Sequence, residues 1–258
     1  MDLKKLTEQY GDVIEVVTPS GDKVVLRQQT GEDDDILSSP TGSYLGENLN
    51  KFVQGIVVRG GKGIKPTYDD IESMKLCDKY FIIIASRIFS LGNIVRFEYE
   101  WPDGLVAEYE EDLEQLIWDY ASDDFPVKGD VLYNKFRIPP HQGGNKGGEE
   151  FTTSSGKHFR FTYMNGEGEK YLMQLSIESL GKNTELRARQ LEQKLGDNWV
   201  KVENFKNYNA KEMVEIRNKV FMADPIIQIF TEIPHPKTKE KIEFPILSSS
   251  DFLFPREI

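Results

Sequence analysis

The run Tyr80-Phe81-Ile82-Ile83-Ile84-Ala85 constrains this chain more than any other segment. Together with Ile88 it surrounds most of the circumference of a helix, and a helix that is apolar on nearly all sides has to lie inside a fold. The spacing predicts one helix over residues 71–91, stopped by Gly92, with the remaining elements packed around it. Ser86 and Arg87 interrupt the apolar run, far short of the roughly 20 apolar residues that span a bilayer. The opening residues Met1-Asp2-Leu3-Lys4-Lys5 pass into polar sequence without the apolar stretch and cleavage site of a secretory signal. The expectation is a soluble chain made in a reducing cytoplasm, with no membrane partner.

Around that helix the sequence alternates between strand and helix signals. Residues 13–17 and 23–27 are β-branched runs separated by Thr18-Pro19-Ser20-Gly21-Asp22, which reads as a hairpin. Thr30 followed by Asp33 marks a helix start, and Glu32-Asp33-Asp34-Asp35 reads as an acidic first turn. A metal cluster is disfavoured there because consecutive side chains point around a helix instead of converging. A second helix is expected over residues 45–58, ended by Gly60-Gly61. Alternating runs on both sides of Trp101-Pro102-Asp103-Gly104 predict a second hairpin. Residues 119–150, with Pro139-Pro140 and four glycines between Gly143 and Gly148, read as a connector that holds one short strand at 131–138.

Beyond the connector the order of elements starts again. Ser155-Gly156-Lys157-His158-Phe159 matches Ser20-Gly21-Asp22-Lys23-Val24, and Asn165-Gly166-Glu167 matches Thr30-Gly31-Glu32 at the same offset. Helices are expected near 170–180, 184–195 and 210–222, and a closing hairpin pairs 226–233 with 241–247. Ile233-Pro234 there occupies the place of Trp101-Pro102. The expected fold is α+β: two similar units, each a strand or hairpin, helices and a closing β-hairpin, around a central apolar helix. The expected boundaries are an N-terminal α+β unit at 1–119, a connector at 120–149 and a C-terminal α+β unit at 150–258.

Composition narrows the function. A net charge of -11 argues against nucleic acid or anionic lipid as the main partner, since both need clustered Lys and Arg. One cysteine, Cys77, excludes an internal disulfide framework and a cysteine-rich zinc site; its apolar surroundings read as core. Gly61-Lys62 has Ile56 where a phosphate-binding loop needs its first glycine and Gly63 where it needs Ser or Thr. Pro66 likewise replaces the last glycine of a dinucleotide fingerprint. His141, His158 and His235 are scattered, with no metal-binding spacing. Asp112, Glu114, Asp119, Asp123 and Asp124 cluster after the second hairpin. A hydrolase would need two such acids about 5 to 10 Å apart in a cleft, and a solvated acidic face is the plainer reading. No cofactor, catalytic residue or metal ligand is expected. Two apolar features read as partner-binding instead: Trp101 at a hairpin turn, and Phe252, Leu253 and Phe254 in Asp251-Phe252-Leu253-Phe254-Pro255, which must dock on the chain itself or on a partner. Truncation after Ser250 is expected to weaken partner binding and spare the fold.

Several of these segments, in order, resemble baseplate hub and hub-assembly proteins of contractile-tailed, T-even-like bacteriophages. They are Ser20-Gly21-Asp22-Lys23-Val24-Val25-Leu26-Arg27 with Thr30-Gly31-Glu32-Asp33-Asp34-Asp35-Ile36-Leu37, then Ser86-Arg87-Ile88-Phe89-Ser90-Leu91-Gly92, the second Ser-Gly strand, and Asp251-Phe252-Leu253-Phe254-Pro255. The opening segment is also similar to some phage tail-assembly chaperones. Members of the hub group carry cysteine pairs in their hairpin turns, whereas the corresponding turns here, Trp101-Pro102-Asp103-Gly104 and Pro234-His235-Pro236-Lys237, have none. The resemblance implies a non-enzymatic virion-assembly or structural protein that contacts other tail and baseplate proteins in a hetero-oligomeric assembly. It would be present in the host cytoplasm during assembly and, if retained, in the virion tail baseplate. The alternatives are a transient tail-assembly chaperone, a carboxylate-dependent hydrolase, and a cellular adaptor unrelated to phage.

Overall fold

In the computed structural model, which describes residues 3–18, 20–40, 47–113, 131–133, 150–174, 190–223, 230–246 and 250–253, the chain is mixed α+β. Helix α1 (Leu3–Tyr10) leads into the antiparallel hairpin β1 (Val13–Val17) and β2 (Lys23–Arg27), as the β-branched runs predict. Helix α2 (Gly31–Ser38) starts where Thr30 and Asp33 place it: the Asp33 carboxylate accepts from the Thr30 N–H at 2.8 Å and its hydroxyl at 3.1 Å. That satisfies donors at a helix start and sets a negative charge against the positive dipole end.

The second expected helix is shorter than its periodicity suggests. Helix α3 covers Asn48–Ile56, and the next residues form strand β3 (Val57–Arg59), which pairs with β2. The expected helix over 71–91 is two pieces, α4 (Tyr68–Glu72) and α5 (Leu76–Leu91). The break has a tertiary cause. Lys75 forms a backbone bridge with Asn165, and the Leu76 N–H donates to the Met164 carbonyl at 2.8 Å, so this stretch of backbone is committed outside its own helix. The hairpin β4 (Ile94–Glu100) and β5 (Val106–Asp112) follows.

Strand β6 (Val131–Tyr133), within the expected connector, pairs parallel to β1 and completes a sheet of order β3-β2-β1-β6. A second sheet has the order β10-β9-β8-β7, all antiparallel, from β7 (Glu150–Thr152), β8 (His158–Phe161), β9 (Leu191–Leu195) and β10 (Asn198–Lys201). Residues 191–195 were expected to end a helix. They form β9 instead because Leu191 pairs across from Phe161 and is fully buried with it. Helices α6 (Gly166–Gln174) and α7 (Ala210–Ala223), the hairpin β11 (Phe230–Pro234) with β12 (Lys241–Pro245), and α8 (Ser250–Leu253) complete the described elements. Among the described residues no helix is long and apolar enough to cross a membrane.

Packing divides the chain differently from the expected boundary at residue 150. The main core combines Phe52, Val53 and Ile56 of α3, Phe81 to Ala85 of α5, Val95 and Phe97 of β4, and, from beyond residue 230, Ile233, Ile246 and Phe252. Residues of the second sheet and α7 form a separate core around Phe159, Phe161, Leu191 and Ile216. The second sheet is therefore a lobe inserted between the two parts of the main core. The closing hairpin returns to the first core because Phe244 stacks on Phe97 with ring centroids 4.6 Å apart, a contact that large aromatic surfaces favour.

Candidate functional site

Of the residues that the sequence marks for partner binding, Trp101 and Phe252 face inward. Trp101 opens the β4–β5 turn but is only 5% exposed. Its indole N–H donates to the Tyr109 hydroxyl at 2.9 Å, that hydroxyl donates to the Pro234 carbonyl at 2.8 Å, and the His235 ring meets the indole edge-on at 4.6 Å. The expectation of an exposed aromatic in a turn is corrected: the β11–β12 hairpin covers it, a partner that short-range sequence patterns do not reveal. Phe252 is 1% exposed and belongs to the main core, Leu253 is half-buried against it, and Phe254 lies outside the described residues. Cys77 is buried, as its apolar neighbours suggest. His158 pairs with Glu150 and His235 with Asp103, so these two histidines are not brought together; His141 lies outside the described residues. Of the acids after β5, Asp112 accepts a hydrogen bond from Asn93 Nδ2 at 2.8 Å, while Glu114, Asp119, Asp123 and Asp124 lie outside the described residues. Among the described residues, no group of three or more His, Cys, Asp or Glu is placed to hold a metal ion.

What the fold does assemble is a set of buried polar ties. Arg87, 1% exposed on α5, donates from Nε to the Phe252 carbonyl at 2.7 Å and from its two terminal nitrogens to the carbonyls of Gly92 (2.5 Å) and Ile94 (3.1 Å). One guanidinium thus holds the end of its own helix, the start of β4 and the short helix α8. Its rigid fork of donors suits three fixed carbonyls in a way a lysine ammonium does not. Burial pulls its pKa down from the ordinary arginine value. Ser86 and Ser90, on the same helix, accept from Gln29 at 3.2 and 2.9 Å. Arg27 grips Asp33 through two bonds of 2.7 and 2.9 Å, and Gly55 of α3 leaves room for this pair: a Cβ there would sit 3.1 Å from Asp33 Oδ1.

A second tie joins the inserted lobe to the main core. Lys79, fully buried, forms an ion pair with Glu169 of α6 and donates to Asn50 Oδ1 at 3.0 Å; Tyr80 also donates to Glu169. Burial lowers the Lys79 pKa against the opposing pull of Glu169, and burial with the adjacent Glu169 raises that of Tyr80. A little farther out, Lys170 lies 3.7 Å from Glu47 and 3.6 Å from Glu72. Apart from apolar packing, the lobe is held by charge and by the backbone contacts of Lys75 and Leu76. Sequence reasoning missed this seam, although one signal was available. Lys79 is a charge directly before the most apolar run of the chain, and a buried lysine requires a partner.

The β1–β2 and β7–β8 turns are closed in the same way. Thr18 N–H donates to the Asp22 carbonyl at 2.9 Å and Gly21 N–H to Thr18 at 2.8 Å; Thr153 N–H donates to Lys157 at 2.9 Å and Gly156 N–H to Thr153 at 2.9 Å. Both glycines have positive φ, 91° and 82°, a conformation that costs side-chain-bearing residues energy. Each turn is then capped by an acid from the start of a later helix. Asp78 of α5 accepts from the Ser20 N–H at 2.9 Å, whereas Glu212 of α7 accepts from the Ser155 hydroxyl and lies 2.9 Å from the Lys157 ammonium.

The two caps differ in charge balance. Burial raises the Asp78 pKa above 3.8, while the Ser155 and Lys157 contacts lower that of Glu212 from 4.5 to about 2. A raised carboxyl contributes fully below its unfolded value and loses that contribution as pH rises; a lowered one contributes above its unfolded value and loses it as pH falls. Between pH 4.5 and about 2 the second turn should therefore loosen while the first does not. The check is amide-exchange protection of Gly156 relative to Gly21, over the range in which circular dichroism stays native. Parallel loss at both glycines would contradict the assignment.

Comparison with family models, curated proteins and solved structures finds no match to this chain.

Proposed function

We propose that this chain is a non-enzymatic structural or assembly protein of a contractile-tail baseplate hub in a bacteriophage, acting through contacts with other tail proteins. The observation that carries the reading is the use made of buried ionisable groups. Asp33, Asp78, Lys79, Arg87, Glu169 and Glu212 are all buried, and each makes a bond that ties one segment of chain to another. Charge invested in this way builds a rigid body for others to contact.

Three of the four segments that carry the resemblance support the same reading, because they meet in space. Arg87 and Ser86 lie in the second of them; Arg87 bonds Phe252 in the last, and Ser86 bonds Gln29 next to the first. We also read the fold as two similar units. The support is the shared closure of the Ser-Gly turns, the helix that follows each at Gly31 and Gly166, and the acid cap at the start of α5 and of α7; the closing hairpin turns open at Trp101 and at His235, two residues beyond the Ile233 that the sequence matches to Trp101. Relative to an enzyme, such a protein would act in the host cytoplasm during assembly and, if retained, in the tail.

A tagged pull-down from producing cells, with mass spectrometry of the eluate and of purified particles, tests this. Tail proteins in the eluate together with the chain in particles fit a hub subunit. Tail proteins in the eluate with the chain missing from particles fit an assembly chaperone. If no tail protein is recovered, the phage reading is lost and hydrolase assays become the next step.

A further inference from the structure

The β1–β2 and β7–β8 turns close through the same backbone bonds, but only the second brings its own cation. There Lys157 puts its ammonium 2.9 Å from the Glu212 carboxylate, and the Ser155 hydroxyl donates to the same acid. Thr153 completes the set, with its Oγ1 3.0 Å from Ser155 Oγ. Every hydroxyl and charge in that turn has a partner.

In the first turn the residue standing where Lys157 stands is Asp22. The acid cap is Asp78, 5% exposed, and Asp22 sets a second negative charge against it. Asp78 is favoured by the Ser20 N–H at 2.9 Å and by the charge of Lys75, whose ammonium lies over the Tyr163 ring at 4.3 Å. Together these do not offset its burial, and its pKa stays raised.

Two hydroxyls are left over beside this acid. Thr18, at the place of Thr153, is 2% exposed, and its buried Oγ1 has no hydrogen-bond partner among the described residues. The Ser20 hydroxyl is close enough to the Asp78 carboxylate to lower its pKa, yet the two are out of hydrogen-bonding geometry. Buried polar atoms without partners are rare in native folds, and a bound water or ion is the usual reason for them. An oxygen set against a carboxylate without a shared proton is repelled, and a cation between them reverses the sign.

We propose that a hard divalent cation of the calcium or magnesium class binds at the β1–β2 turn, held by the Asp78 carboxylate and the hydroxyls of Ser20 and Thr18, where the second turn uses the Lys157 ammonium. All three donors are oxygens, the ligands such ions take, and water completes the coordination. Asp22, exposed on the turn, adds attraction from the solvent side. Two positive charges balance the two carboxylates. The inference rests on the two turns and is independent of the phage reading.

The test is thermal unfolding of the full chain, stripped of metal by a chelator, against added calcium chloride or magnesium chloride. The wild-type midpoint should show a saturable rise with at least one of the two, by about 5–10 °C at a hundredfold excess over the dissociation constant. Asp22→Lys supplies the missing ammonium. It should therefore lose the rise and start from a higher midpoint than the wild type in ion-free buffer. Asp78→Asn should lose the rise as well; if that variant does not fold, Asp22→Lys decides alone, because Asp22 is exposed. Asp12→Lys makes the same change of charge at another exposed position and should keep the rise. That control separates a site from general screening of a chain that carries -11. A wild-type midpoint that responds to neither ion overturns the proposal. So does a rise that never saturates, or one that Asp22→Lys retains in full.

Discussion

Replacing Lys79 by alanine should destabilise the chain by about 3–5 kcal/mol, the range found when one partner of a buried ion pair is removed and the other is left uncompensated. Glu169 would keep its bond from Tyr80 but lose the ammonium at its other oxygen, and it has little access to solvent to compensate. The double replacement Lys79→Met with Glu169→Leu should cost far less, because it removes both charges and leaves apolar side chains in their place. Denaturant unfolding of the wild type, the single variant and the double variant measures both. Equal losses in the two variants would mean that the seam contributes shape alone and that the charges are incidental. Exchange should also loosen first in the inserted lobe of the single variant, since Lys79 and Glu169 lie on either side of the junction.

Truncation after Ser250 provides the second large effect, and its sign reverses the expectation drawn from the sequence. Phe252 is almost fully buried in the main core, and its carbonyl accepts the Nε–H of Arg87. Removing it opens a cavity the size of a phenyl ring and takes away one of three acceptors from a buried guanidinium. Phe252→Ala alone should cost about 3–5 kcal/mol, and the truncation at least as much. The measurement is the shift in denaturation midpoint. If the truncated chain unfolds at the wild-type midpoint, the tail is not part of the core, and its partner-binding role returns.

Sequence periodicity located most of the elements because the relevant signals are local. The Pro-Asp-Gly turn, the Ser-Gly turn and the Thr30–Asp33 helix start each need only their neighbours, and each forms as expected. The errors arise where a distant segment decides. The helix breaks before Leu76 because Asn165 and Met164 take the backbone of Lys75 and Leu76, and residues 191–195 extend because Phe161 lies beside them. Trp101 and Phe252 illustrate the same limit for function. An aromatic near a turn or a tail looks equally available whether or not another hairpin covers it, and the β11–β12 hairpin that covers Trp101 comes more than a hundred residues later. Lys79 was the one error that local reasoning could have avoided, because a lysine one residue from Tyr80-Phe81-Ile82 is a conspicuous charge.

The return of the closing hairpin to the first core also dictates an order of events during synthesis. Arg87 waits for the carbonyl of Phe252, a partner 165 residues away, and Phe97 waits for Phe244. The inserted lobe, whose core among the described residues draws on positions between 151 and 216, can close while the ribosome is still adding the rest. Contacts of long sequence separation form slowly. The emerging chain should therefore pass through a stage with one finished lobe and an exposed apolar α5, when chaperones have their best opportunity to bind it.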